Sequence, residues 1–125
     1  MIRGVQDVYY YVQDMRRALR FYRDTLGLRV TEENEHWSAL DVGGVRVGLH
    51  GTDGKPVPPV PRDTHGATSG GTLTLRVSNI RAEVARLGDA GVKFLGPIAD
   101  EDWGSVVAFE DSEGNVLKLM QPGSS

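Results

Sequence analysis

Asp7–Leu26 reads Asp-Val-Tyr-Tyr-Tyr-Val-Gln-Asp followed by Met-Arg-Arg-Ala-Leu-Arg-Phe-Tyr-Arg-Asp-Thr-Leu, closed by Gly27. The same plan returns in Thr72–Ala90 as Thr-Leu-Thr-Leu-Arg-Val-Ser-Asn followed by Ile-Arg-Ala-Glu-Val-Ala-Arg-Leu-Gly-Asp-Ala, closed by Gly91. Val8 matches Leu73, Tyr10 matches Leu75, Val12 matches Val77, Asp14 matches Asn79 and Met15 matches Ile80, all at one offset of 65. A strand, a capping residue and a helix, written twice in one short chain, predict a pair of pseudo-symmetric modules with a hollow where their sheets meet.

Each copy has its own physical logic. Val and Tyr favour a pleated surface, and Asp14 and Asn79 each offer an oxygen to the first free amides of a helix. Met15, Leu19, Tyr22 and Leu26 recur at helical spacing and predict one apolar stripe on a helix that Gly27 ends. Trp37–Val42 and Val45–Leu49 read as strands joined at Gly43-Gly44, a two-residue hairpin signal. In the second copy Thr72–Val77, Val92–Leu95, Val106–Glu110 and Val116–Met120 read as strands, with Ser112–Asn115 turning the last hairpin. Module 1 therefore covers about 1–50 and module 2 about 72–122. Between them, 51–71 carries Pro56, Pro58, Pro59 and Pro61 with five glycines; it predicts an irregular linker, either a plain connection or a lid or hinge.

Composition narrows the function classes. At 125 residues, 39% hydrophobic and 25% charged, the chain suits one globular domain. A net charge of −3 offers no footprint for nucleic acid, although Arg16, Arg17, Arg20 and Arg23 cluster on one helix. The absence of cysteine removes disulfides, thiolate metal sites and cysteine nucleophiles. No signal-like segment and no long apolar run is present, so a soluble, cytoplasmic protein with no membrane partner is the expectation. The serines have no defensible histidine and carboxylate partners, and no Gly-rich phosphate loop occurs in the right context. No catalytic residue is assigned.

The leader Val12-Gln13-Asp14 before Arg20-Phe21-Tyr22-Arg23-Asp24-Thr25-Leu26-Gly27-Leu28, with the ending Trp103-Gly104 and Phe109-Glu110-Asp111-Ser112-Glu113-Gly114-Asn115, resembles the vicinal oxygen chelate superfamily. That group includes glyoxalase I, extradiol dioxygenases, fosfomycin-modifying enzymes and bleomycin-resistance proteins. The resemblance implies an α+β fold of two βαβββ modules whose mixed sheet curls around a cavity, and a homodimer. It also implies positions for a divalent metal, which fall here on Asp7, Gly48, Thr72 and Lys118. Only Asp7 is a competent ligand. At an effective dielectric of 20 two unit charges 4 Å apart interact by ~4 kcal/mol, so Lys118 would repel a dication by roughly twice that. The expectation is no metal and no cofactor, with the Lys118 ammonium paired to Asp7 where a cation sits in related enzymes.

Of the three histidines, His36 and His65 fall outside rigid elements, whereas His50 shares a strand face with Gly48. It could orient a ligand, or join Asp7 in a weak metal site. Strand alternation turns Val8, Tyr10 and Val12 to the helix, and Asp7, Tyr9 and Tyr11 to the hollow. It likewise turns Thr72, Thr74 and Arg76, and Val116, Lys118 and Met120, to that side. With Trp37 and Trp103 near strand ends, the predicted ligand-binding set is Asp7, Tyr9, Tyr11, Trp37, Gly48, His50, Thr72, Thr74, Trp103, Lys118 and Met120. Aromatic walls with a few polar anchors suit an organic guest. The leading reading is a metal-independent small-molecule binding protein that resembles bleomycin-resistance proteins and sequesters an aromatic or planar compound, as in antibiotic self-resistance. A divergent metal-dependent glyoxalase-like lyase or dioxygenase, and a non-catalytic interaction module, stand as alternatives.

Overall fold

The structure, a computed structural model, describes residues 1–63, 66–67 and 71–123. The chain divides into two compact units, Met1–Pro58 and Pro59–Ser125.

The first unit runs β1 (Val8–Val12), α1 (Met15–Leu19), a π-helical turn over Arg20–Thr25, β2 (Arg29–Glu32), β3 (Trp37–Val42) and β4 (Val45–Gly51). Its sheet has the order β1-β4-β3-β2, with β1 parallel to β4 and the other pairs antiparallel. The second unit runs β5 (Arg62–Asp63), β6 (Gly66–Ala67), β7 (Thr74–Arg76), α2 (Ile80–Asp89), β8 (Ala99–Glu101), β9 (Gly104–Glu110) and β10 (Val116–Pro122). Its main sheet has the order β7-β10-β9-β8, again with only the first pair parallel. Both units are thus βαβββ, as the repeat predicts.

The caps behave as their residue types require. Asp14 Oδ1 accepts the Arg17 amide at 3.0 Å, and Asn79 Oδ1 accepts the Ala82 amide at 3.1 Å. Behind the sheets Val12, Tyr22, Leu40, Val47 and Leu49 are fully buried in the first unit, and Ile80, Phe109 and Leu117 in the second. Each such side chain contributes roughly 1.5–3 kcal/mol by leaving water. The last hairpin is closed by a buried pair: Asp111 Oδ1 accepts the amides of Glu113 and Asn115 at 2.8 Å each, and Oδ2 accepts Asn115 Nδ2 at 2.9 Å.

Three local expectations are corrected. The first helix is α-helical only to Leu19; it then widens, with the Leu26 amide donating to the Phe21 carbonyl at 2.9 Å and the Leu28 amide to Tyr22 at 3.0 Å. Met15, Leu19 and Tyr22 are buried as predicted, and Gly27 (φ 76°) ends the helix. Val92–Leu95 is no strand but a single bridge, Phe94 to Phe109, because Gly96 (φ 105°) and Pro97 turn the chain away. Polar Ala99–Glu101 forms the edge strand instead, where Asp100 accepts Ser105 Oγ at 2.6 Å and Arg81 Nη2 at 2.8 Å. The segment 51–71 is not wholly irregular: β5 and β6 pair within it, and Arg62 ties that ribbon to the last hairpin through Glu110 and, at 3.0 Å, the Gly114 carbonyl.

Two outcomes follow for stability. Asp111→Ala strands buried amides and lowers the unfolding free energy in urea by about 1–3 kcal/mol. Asp14 is held below the usual carboxylate range, chiefly by accepting the Arg17 amide. Its contribution is complete above the ordinary carboxylate pKa and is lost as pH falls through the depressed folded value. Asp14→Asn, which places a non-titrating amide there as Asn79 already does, reduces the loss of stability on acidification in urea melts across that range.

Candidate ligand-binding faces

Apart from Trp103, the predicted residues divide between the two units. In the first, strand register builds two rows on the sheet face opposite α1. Tyr9 lies beside Gly48 and Gly48 beside Ala39; Tyr11 lies beside His50 and His50 beside Trp37. The alternate positions Val12, Ser38, Leu40, Val47 and Leu49 are buried on the other face.

The rings interlock at their edges. Tyr9 and Tyr11 stand 5.3 Å apart between centroids at 89°, Tyr9 and Trp37 6.0 Å apart at 65°, and Trp37 and His50 6.1 Å apart at 88°. His50 lies 5.4 Å from Tyr9 and 5.2 Å from Tyr11. The two phenol oxygens are 3.3 Å apart. That hydrogen bond first, then the charge of Tyr11, burial and the charge of Asp7, raises the Tyr9 pKa. Tyr9 therefore stays a neutral phenol, able to donate and accept, throughout the physiological range. Tyr9 and Tyr11 remain 44% and 43% exposed, so the face is a wall left open rather than a closed core.

Trp37 leans across its diagonal neighbour Gly48. A Cβ on Gly48 would stand 2.1 Å from the indole Cη2 and 2.6 Å from Cζ2, so the glycine is what lets the ring lie there.

The second unit repeats the scaffold with other side chains. Lys118 lies between Thr74 and Ala108, and Met120 between Arg76 and Val106. By register Gly48 and Lys118 are equivalent, as are His50 and Met120, and Trp37 and Val106. Lys118 borders a cleft of ≈ 260 Å³ with the apolar side chains of Leu95, Pro97, Ala99 and Val106. Thr72 lies just before β7, and the Leu73 carbonyl accepts the Lys118 amide at 3.0 Å.

Trp103 does not join either group. It occupies the β8–β9 turn, is 56% exposed, and lies beyond Gly104, which pairs with Pro122. Gly104 alone is four residues from Ala108, about 13 Å along the strand. Gly104 adopts φ 147° with the Gln121 carbonyl where a Cβ would be, so this turn position needs glycine and carries the tryptophan outward.

The positions that the family resemblance gives to a divalent ion do not fit one. Asp7 supplies a carboxylate, but Gly48 has no side chain and lies under an indole, Thr72 brings only a hydroxyl, and Lys118 brings a cation. Among the described residues no three His, Asp or Glu side chains gather as a metal site. His36 is exposed, 3.5 Å from Asp53 and 3.8 Å from Glu35, beside a broad cleft under the start of α1. His65 lies outside the described residues. Among those described, no helix is long and apolar enough to cross a membrane.

Ala39, Ala108 and Val106 belong to these faces and escape a reading of single motifs. Counting outward from the hairpin turns at Gly43-Gly44 and Asp111–Asn115 would have found all three, since the turns set the register.

Residues 4–119 match the family model described as the Glyoxalase/Bleomycin resistance protein/Dioxygenase superfamily. Among solved structures, the chain is similar to TnmS3, an antibiotic binding protein from Streptomyces sp. CB03234, at 31% identity, 98% coverage of both chains and TM-score 0.70. It also shares the fold of the fosfomycin resistance protein FosX from Listeria monocytogenes, at 13% identity, 97% and 94% coverage and TM-score 0.75. A lactoylglutathione lyase from Agrobacterium tumefaciens stands at 18%, 96% and 94%, and 0.72.

Gly48→Ala should displace the indole and cost about 1–3 kcal/mol of stability by overpacking. In a Trp37→Ala background most of that cost disappears, and a double-mutant cycle in urea measures the coupling.

Proposed function

For a chain that belongs to the Glyoxalase/Bleomycin resistance protein/Dioxygenase superfamily, we propose metal-independent capture of a planar aromatic small molecule, stacked on the face formed by Tyr9, Tyr11, Trp37 and His50. One observation carries this reading. The position equivalent to a metal ligand, Gly48, is covered by the Trp37 indole, so an aromatic surface stands where a donor side chain would project. Each aromatic pair made with a guest contributes about 0.5–1.5 kcal/mol beyond its buried area. The similarity to an antibiotic binding protein at 31% identity supports a natural-product guest, and with it a role in resistance. In the second unit Lys118 borders its own cleft, with Thr74 beside it in the adjacent strand, Met120 two residues along and Thr72 just before β7; Lys118 serves there as a cationic anchor for an acidic group. The proposed working form is a homodimer, as the family resemblance implies, in the cytoplasm.

Trp37 provides the readout. In a Trp103→Phe background, titration with planar polycyclic antibiotics should quench Trp37 emission with saturation, and Trp37→Ala should weaken calorimetric affinity by about tenfold, ~1.4 kcal/mol. Light scattering should give twice the chain mass. Near-stoichiometric zinc, iron, nickel or manganese in protein purified without chelator, lost on Asp7→Ala and accompanied by turnover, would replace this reading with the enzymatic one.

A further inference from the structure

His50 Nδ1 lies 3.0 Å from the carbonyl oxygen of Gly51. A carbonyl oxygen only accepts, so Nδ1 must carry the hydrogen. In the neutral imidazole Nε2 then bears a lone pair. The described residues give Nε2 no hydrogen-bond partner, while Tyr9, Tyr11 and Trp37 surround the ring at 5.2–6.1 Å. The other polar groups of the face differ in kind. The Trp37 indole N–H can only donate, and the two phenols already share one hydrogen bond. The aromatic face therefore contains a fixed sp² nitrogen acceptor whose tautomer is set by its own backbone.

We infer that this face selects planar aromatic ligands bearing a hydroxyl or N–H donor over isosteric ligands that offer acceptors alone, with His50 Nε2 as the specificity-determining acceptor. The inference rests on the aromatic face being the ligand platform. A guest stacked on the rings excludes water from Nε2. A phenol or heteroaromatic N–H restores the lost hydrogen bond, whereas an ether or carbonyl oxygen opposes one lone pair with another and leaves Nε2 unpaired.

The test uses the full chain and two probes of matched shape, 2-naphthol and 2-methoxynaphthalene, in calorimetric titrations. 2-Naphthol should bind at least about tenfold more tightly, ~1.4 kcal/mol. In His50→Phe, which keeps a ring and removes the acceptor, the ratio should shrink to less than about twofold, with 2-methoxynaphthalene still bound. Nitrogen NMR of the free protein should show Nδ1 protonated and Nε2 of pyridine type. Equal affinities in the native chain would overturn the inference while leaving the platform standing. So would a preference that survives in His50→Phe, or an Nε2–H tautomer. Binding of neither probe, together with failure of the antibiotic titration, would overturn both.

Discussion

The contact between the Trp37 indole and the Cα of Gly48 fixes the character of the first unit's open face. Gly48 and Ala39 sit side by side in adjacent strands, and two small residues in one row leave a trough between Tyr9 and the far edge of the sheet. The indole lies in that trough. Once there, it braces Tyr9 on one side and His50 on the other, and Tyr11 completes the wall. With the Cβ position already 2.1 Å from a ring atom, any side chain at 48 must lift the indole. A metal ligand at this point and the aromatic wall are therefore alternatives, and the chain carries the wall.

Tyr9 is kept protonated by Tyr11 and by the nearby Asp7 charge, and His50 spends Nδ1–H on a backbone carbonyl. What remains toward a guest is aromatic area with a small number of directional polar atoms. On the proposed reading such a surface would discriminate by shape and by donor pattern, because a buried polar atom left unpaired costs more than a made hydrogen bond contributes.

Much of this was legible in the sequence because it depends on period and offset. The constant spacing between Val8 and Leu73 or Asp14 and Asn79 announces two equal units, and alternation along β1 assigns Tyr9 and Tyr11 to one face. The hairpin glycines fix which residues of β3 face which of β4. What period cannot carry is the choice among nearly isoenergetic local geometries. An i→i+5 turn over Arg20–Thr25 uses the same residues as an i→i+4 turn. Val92–Leu95 has strand composition, yet Gly96 and Pro97 allow it one bridge. Trp37 pairs with His50 by register but leans diagonally over Gly48, a rotamer that only the missing side chain permits. Trp103 has the same residue type and a similar place near a strand start, but its turn is governed by Gly104, and it points elsewhere.

The internal duplication sharpens the chemistry, because each unit serves as the other's control. At equivalent points of one topology, Gly48 faces Lys118, His50 faces Met120 and Trp37 faces Val106 across the alignment. The substitutions are correlated by volume. Where the outer-row residue is the large Trp37, position 48 has no side chain at all; where it is the smaller Val106, the central strand carries the long Lys118, and a cleft of ≈ 260 Å³ remains beside it. A lysine at 48 could not coexist with the indole, and a glycine at 118 would widen the cleft that Val106 and Ala108 already line. Neither change is independent of its neighbour. The family resemblance gives these two positions to oxygen or nitrogen donors; on the proposed reading, a ring-covered glycine in one unit and an ammonium in the other would put stacking and positive charge in the place of coordination.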